Sequence, residues 1–165
     1  MRILKIFIGA GGVVAILAVC LFVMSPLSNF AQADPIIGTW KLNLAKSKYS
    51  PGPPPKSQTV TYEAVGQGVK VTVKGTNAEG KPIDTLSTAN FDGKDYPVTG
   101  NADWDTIVRK RIDAYKMEMT RKKAGKVVST ATSVVSKDGK TRTVTEKGVN
   151  AKGEKISNSL VYDKQ

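Results

Sequence analysis

"VTYEAVGQGVKVTVKGTNAEG", residues Val60–Gly80, decides how this chain folds. Val60, Tyr62 and Ala64 alternate with Thr61 and Glu63. After the turn, Val69, Val71 and Val73 alternate with Lys70, Thr72 and Lys74. Successive side chains of a strand point to opposite faces, so each run has one dry side and one wet side. "VGQG" and "NAEG" supply the Gly and Asn that hairpin turns need for positive φ. The stretch predicts two antiparallel strands with one buried face.

The same period continues along the chain. Tyr115, Met117 and Met119 alternate with Lys116, Glu118 and Thr120. Ile156, Leu160 and Tyr162 share a face with Asn158 between them. "FDGK", "KAGK", "SKDGK" and "NAKG" mark further turns, and nothing after Ala33 keeps a helical period. The reading is all-β: an antiparallel meander of about eight to ten strands, closed or nearly closed into a barrel, which also removes exposed edges. "AKSKYSPGPPPKS", Ala45–Ser57, interrupts it. Its four prolines fix φ and remove donors, so it reads as an ordered loop covering one barrel end, neither helix nor central strand. "VTVKGTNAEGKPI" (Val71–Ile83) also matches "VTEKGVNAKGEKI" (Val144–Ile156) at eight of thirteen positions. That echo is either a decayed duplication or one hairpin solution used twice.

The first 33 residues are not domain material. Arg2 and Lys5 precede an uncharged apolar run, Ile6–Met24, and a polar stretch ending "AQA". This is the layout of a secretory signal cleaved after Ala33, giving a signal at 1–33 and a domain at 34–165. The rival is an uncleaved N-terminal membrane anchor, since the apolar run nearly spans a bilayer. The protein is expected in the periplasm or outside the cell. The only cysteine, Cys20, leaves with the signal, so the mature chain has no disulfide and no thiol chemistry. Its net charge is +9, which fits either plain solubility or an anionic envelope surface as partner.

Chemistry is sparse. The chain has no histidine, which removes the usual general base and the commonest metal ligand. No Ser-x-x-Lys, P-loop or dinucleotide fingerprint is present. Asp92 with Asp95, and Asp103 with Asp105, sit beside turn glycines and read as turn chemistry. No enzyme activity, metal or cofactor is expected. The runs Arg109–Arg111 and Arg121–Lys123 lack interleaved aromatics, so nucleic acid is not expected as a partner. The first run is informative in another way. If Val108 and Ile112 face inward, so does Lys110; if Ile107 does, so do Arg109 and Arg111. Either register puts a cation inside or at the rim. It then meets an acidic ligand or lies at the mouth in contact with water.

"GTWKLN", Gly38–Asn43, resembles the first strand of the calycins, meaning lipocalins and intracellular fatty-acid-binding proteins. "LVYDK", Leu160–Lys164, resembles the last strand of fatty-acid-binding proteins. The resemblance implies a lipocalin-like barrel in which Gly38 and Trp40 form a structural barrel-end motif. It implies a late-strand cation, Arg142 or another, against the Trp. Leu160 stands where that family carries a carboxylate-binding Arg, and the Pro-rich loop replaces its helical lid. The chain is also similar to small secreted bacterial proteins that open "DPxxGTWKLN".

Together these observations give two expectations. The first is a monomeric binding protein for a small hydrophobic or amphipathic ligand. Its candidate lining residues are Tyr62, Val71, Arg109, Arg111, Tyr115, Met117, Met119 and Tyr162, with Trp40 and Val60 on the same inward face. Each of these also reads as ordinary core. The second is a cavity-less envelope protein that binds anionic glycans or phospholipid through its basic surface.

Overall fold

The computed structural model describes residues 34–150 and 152–165. The expected signal segment lies outside the described residues. Ten strands follow in order: β1 (Gly38–Leu42), β2 (Ser57–Val65), β3 (Gly68–Thr76), β4 (Pro82–Asn90), β5 (Asp92–Thr99), β6 (Thr106–Arg111), β7 (Lys116–Lys123), β8 (Lys126–Val135), β9 (Thr141–Val149) and β10 (Lys155–Lys164). Each pairs antiparallel with its sequence neighbours, and β1 pairs with β10, so the meander closes into a barrel. The period-two segments are strands, and the quoted turn signals fall at their ends. The Pro-rich segment differs in one respect from the expectation. A 3-10 turn, Leu44–Lys46, capped by the Asn43 side chain, runs into its first two residues, and Lys48 then bridges to Ser159 on β10. The segment lies against β10 through this bridge and through Ser157 N–H donating to Ser50 O at 2.7 Å.

One end of the barrel is plugged. Trp40 is fully buried there, and its indole N–H donates to Ile36 O at 2.8 Å. Lys164 at the end of β10 lies 5.0 Å from the Trp40 ring centroid and donates to Pro35 O at 3.2 Å. Gly38 makes room for that crossing, since a Cβ there would sit 3.0 Å from the Lys164 Cε. The late-strand cation on the tryptophan is therefore Lys164. Arg142 lies elsewhere. Ile36, Leu42, Val69, Met117, Val135 and Val144 belong to the same buried cluster. A smaller cluster joins Ala89, Val98 and Ile107, with Tyr96 and Trp104 packed on it.

The hairpins β3–β4 and β9–β10 carry the sequence echo, and they use the same device twice. Lys81 N–H donates to the Asn77 side-chain oxygen at 2.8 Å, and Glu154 N–H donates to that of Asn150 at 3.0 Å. Gly75 and Gly148 also match. A Cβ at either would run into a neighbouring strand, at Ser57 O or Val128 O. Both turns sit at the end opposite Trp40.

The seams of the barrel are unequal. β3 and β4 are in register over nine residue pairs, whereas β4 and β5 share two, Leu86 with Thr99 and Ser87 with Val98. Pro97 explains the interruption. Val98 N–H bonds Asp105 O on the β6 side, so the adjacent position turns its nitrogen toward β4. Proline has no hydrogen there to donate. A bulge between Asp92 and Asp95 also interrupts the pairing of β5 with β6.

Candidate functional site

The end opposite Trp40 opens into a cavity of about 670 Å³. Tyr49, Pro51, Pro53 and Pro55 of the Pro-rich segment border it, as do both echo turns and the β5–β6 loop. Val60, Val71, Ile107, Met119, Val144 and Leu160 form its apolar wall. The second expectation, a barrel without a cavity, is corrected on this point.

Arginines dominate the polar wall. Ile107 faces inward, which brings Arg109 and Arg111 to the inner side of β6; Lys110 is exposed. Arg109 is 2% exposed, and its Nη2 donates to Ser87 Oγ at 2.9 Å. Arg142 is 4% exposed, and its Nε donates to Ser133 Oγ at 2.9 Å. Its guanidinium lies between two phenol rings, 4.9 Å from Tyr62 and 5.0 Å from Tyr162. Arg121 pairs with Glu146, reaches Ser129 Oγ at 3.4 Å and lies over Trp104 at 5.1 Å. Each of the three guanidiniums thus has one serine. Only Arg121 has a carboxylate. Burial, with Arg121 and Arg142 nearby, holds Arg109 down to about 10, still charged at neutral pH.

The strand ladders explain this grouping. Ile107 lies opposite Arg121, Arg121 opposite Ser129 and Ala131 opposite Glu146, so residues far apart in sequence share one inner band. A bulge on β8 beside Arg121 leaves Val128 and Ser129, sequence neighbours, both on the cavity.

Of the candidate lining residues, Tyr62, Val71, Arg109, Met119 and Tyr162 border the cavity. Arg111, Tyr115 and Met117 are corrected. They belong to the closed half of the barrel, because β6 runs away from the mouth and β7 starts at the plug. Arg111 pairs with Asp34, with a second contact at 3.3 Å, and stacks 3.9 Å from the Phe91 ring centroid. Tyr115 is half-buried in the turn between β6 and β7, and Met117 is solid core. Arg121, Arg142 and Glu146, with Ser87, Ser129 and Ser133, were not among the candidates. Arg121 follows Met117 and Met119 at period two, and Arg142 and Glu146 flank Val144 in the same way, so alternation carried that signal. Of the carboxylates read as turn residues, Asp92 accepts locally from Lys94 N at 3.1 Å, whereas Asp95 pairs with Lys122 on β7 and Asp105 accepts from Ala124 N in the β7–β8 turn at 3.0 Å.

Tyr162 donates from its hydroxyl to Gln58 Oε1 at 2.5 Å. Burial raises its phenol to about 12; Arg142 acts in the opposite direction. The unfolded chain loses this proton near pH 10, the folded chain near pH 12. Stability contributed by the protonated phenol is complete below pH 10 and is lost as pH rises toward 12. Urea midpoints measured across that window are expected to fall less steeply in Tyr162→Phe than in the wild type. Equal slopes would assign the effect to other groups. Burial raises Tyr49 as well, with Tyr162 and Glu146 adding to it.

Fold and cavity together define a container, an all-antiparallel closed β-barrel plugged at one end and compatible with a calycin-like barrel. Comparison with known proteins takes the identification no further. No family model matches the chain, and no curated protein matches it.

Proposed function

We propose that the protein is a lipocalin-like binding protein that holds one small amphipathic molecule inside its barrel. The observation that carries this reading is the single-ended cavity, about 670 Å³ in volume, with an apolar wall facing a polar one. Pockets for small organic ligands have this size and this mixture of apolar walls and few placed polar groups. The Trp40 plug and the Pro-rich segment at the mouth favour access from one end only. The basic segment, apolar run and "AQA" before Asp34 favour a secreted or periplasmic carrier.

Titration of delipidated protein with a fluorescent fatty acid tests the proposal. One saturable site, displaced by the unlabelled acid, is the expected result. Affinity should change little with salt, because the ligand is enclosed. Absence of saturable binding would overturn the reading. Binding only to anionic vesicles, falling steeply with ionic strength, would place the function on the basic outer surface instead.

A further inference from the structure

The buried inner band of the cavity wall is over-supplied with positive charge, while Glu79, Asp103 and Glu154 are exposed residues around its mouth. Among the described residues three inner arginines, Arg109, Arg121 and Arg142, line it with one buried carboxylate, Glu146. Glu146 is committed to Arg121. Arg109 and Arg142 have only a serine hydroxyl each, and serine carries no charge to offset theirs. Four guanidinium nitrogens find no acceptor among the described residues: Nε and Nη1 of Arg109, Nη1 of Arg142 and Nε of Arg121. An unpaired buried charge is among the costliest arrangements a fold can hold. Arg109 and Arg142 border the cavity although they are nearly buried.

We propose that this band binds a doubly charged phosphoryl group, carried as a phosphate monoester on the apolar body of the ligand. The proposal deepens the container reading and rests on it. A carboxylate would neutralise one of the two uncompensated guanidiniums and offer two oxygens. A phosphate monoester offers close to two negative charges and three terminal oxygens, matching two cations and several donors. Guanidinium forks suit this geometry better than ammonium groups do. Tyr62 and Tyr162 hold Arg142 between their rings, and Ser87 fixes Arg109, so the donors are positioned before the anion arrives. The apolar body would lie along Val60, Val71, Met119 and Leu160.

Calorimetric titration with dodecyl phosphate, dodecanoate and dodecanol, each below its micelle concentration at pH 8, tests the head group. The phosphate is expected to bind at least about tenfold tighter than the carboxylate, with the alcohol weakest. Arg109→Met and Arg142→Met should each reduce the phosphate's advantage over the alcohol by about tenfold or more. Lys110→Met, on the outer face of β6, should leave all three affinities unchanged. Inorganic phosphate is run as a competitor. Displacement of dodecyl phosphate at comparable concentration supports the site with free phosphate as its source; displacement only in large excess supports the ester. Loss of buried, uncompensated charge is not expected to unfold either methionine variant, and thermal melts check this. Equal binding of all three ligands would overturn the phosphoryl assignment and leave the container standing. No binding of any of them, nor of the fluorescent fatty acid, would overturn the container itself.

Discussion

Trp40→Ala is expected to lose about 3–5 kcal/mol of folding stability, read as a fall in the urea midpoint with little change in slope. Trp40 is fully buried, and its removal leaves a cavity at the closed end of the barrel. Three interactions go together: the packing of the indole, its hydrogen bond to Ile36 O and the cation over its face. Lys164 would then reach over an apolar hollow with one remaining acceptor, Pro35 O. Trp40→Phe separates the contributions. It keeps a ring under Lys164 and loses the indole N–H, so a cost of about 1–2 kcal/mol is expected. A loss below about 1 kcal/mol for the alanine variant would show that the indole contributes little to holding the closed end.

Glu146→Ala is expected to cost about 3 kcal/mol, although the substitution removes little apolar surface. Its carboxylate is the one anion paired with the arginines that border the cavity, among the described residues. Without it, Arg121 joins Arg109 and Arg142 as a third uncompensated guanidinium in the same band. The cost is thus mainly that of stranding Arg121, and the double variant distinguishes this from lost packing. Arg121→Met with Glu146→Leu removes both charges together and should recover most of the stability. Chemical denaturation of Arg121→Met, of Glu146→Leu and of the double variant closes the cycle. Strict additivity would show that the two side chains do not act as a pair.

Much of this architecture was legible in the order of residues. "VKVTVKG" and "KMEMT" alternate apolar with polar residues, and glycine and asparagine turns punctuate the chain, so strands, hairpins and their inner faces follow from local rules. Gly38 and Trp40 marked the plug. The β4–β5 region was harder, because "FDGKDYPVTGNADWD" has a bulge, a proline and a long loop where alternation fails. The arginine run on β6 was visible as an inward cation in either register, but which register holds depends on neighbouring strands. The pairing of Arg121 with Glu146 was further out of reach. It exists because β8 lies between β7 and β9 in a particular register, and no local pattern states that register. The depth of each cation was equally hidden. Arg109 and Arg111 are two residues apart on one face, yet one reaches the cavity and the other meets Asp34 at the closed end.

A tube can change its girth only where its wall can part. At β4–β5 two residue pairs stand between a closed cylinder and a slit one, the fewest of any seam. Ser87, which holds Arg109, is itself one of those four residues. Parting the wall there would release the hydroxyl that steadies the most buried guanidinium. The width of the barrel and the aim of its principal cation are therefore one mechanical variable.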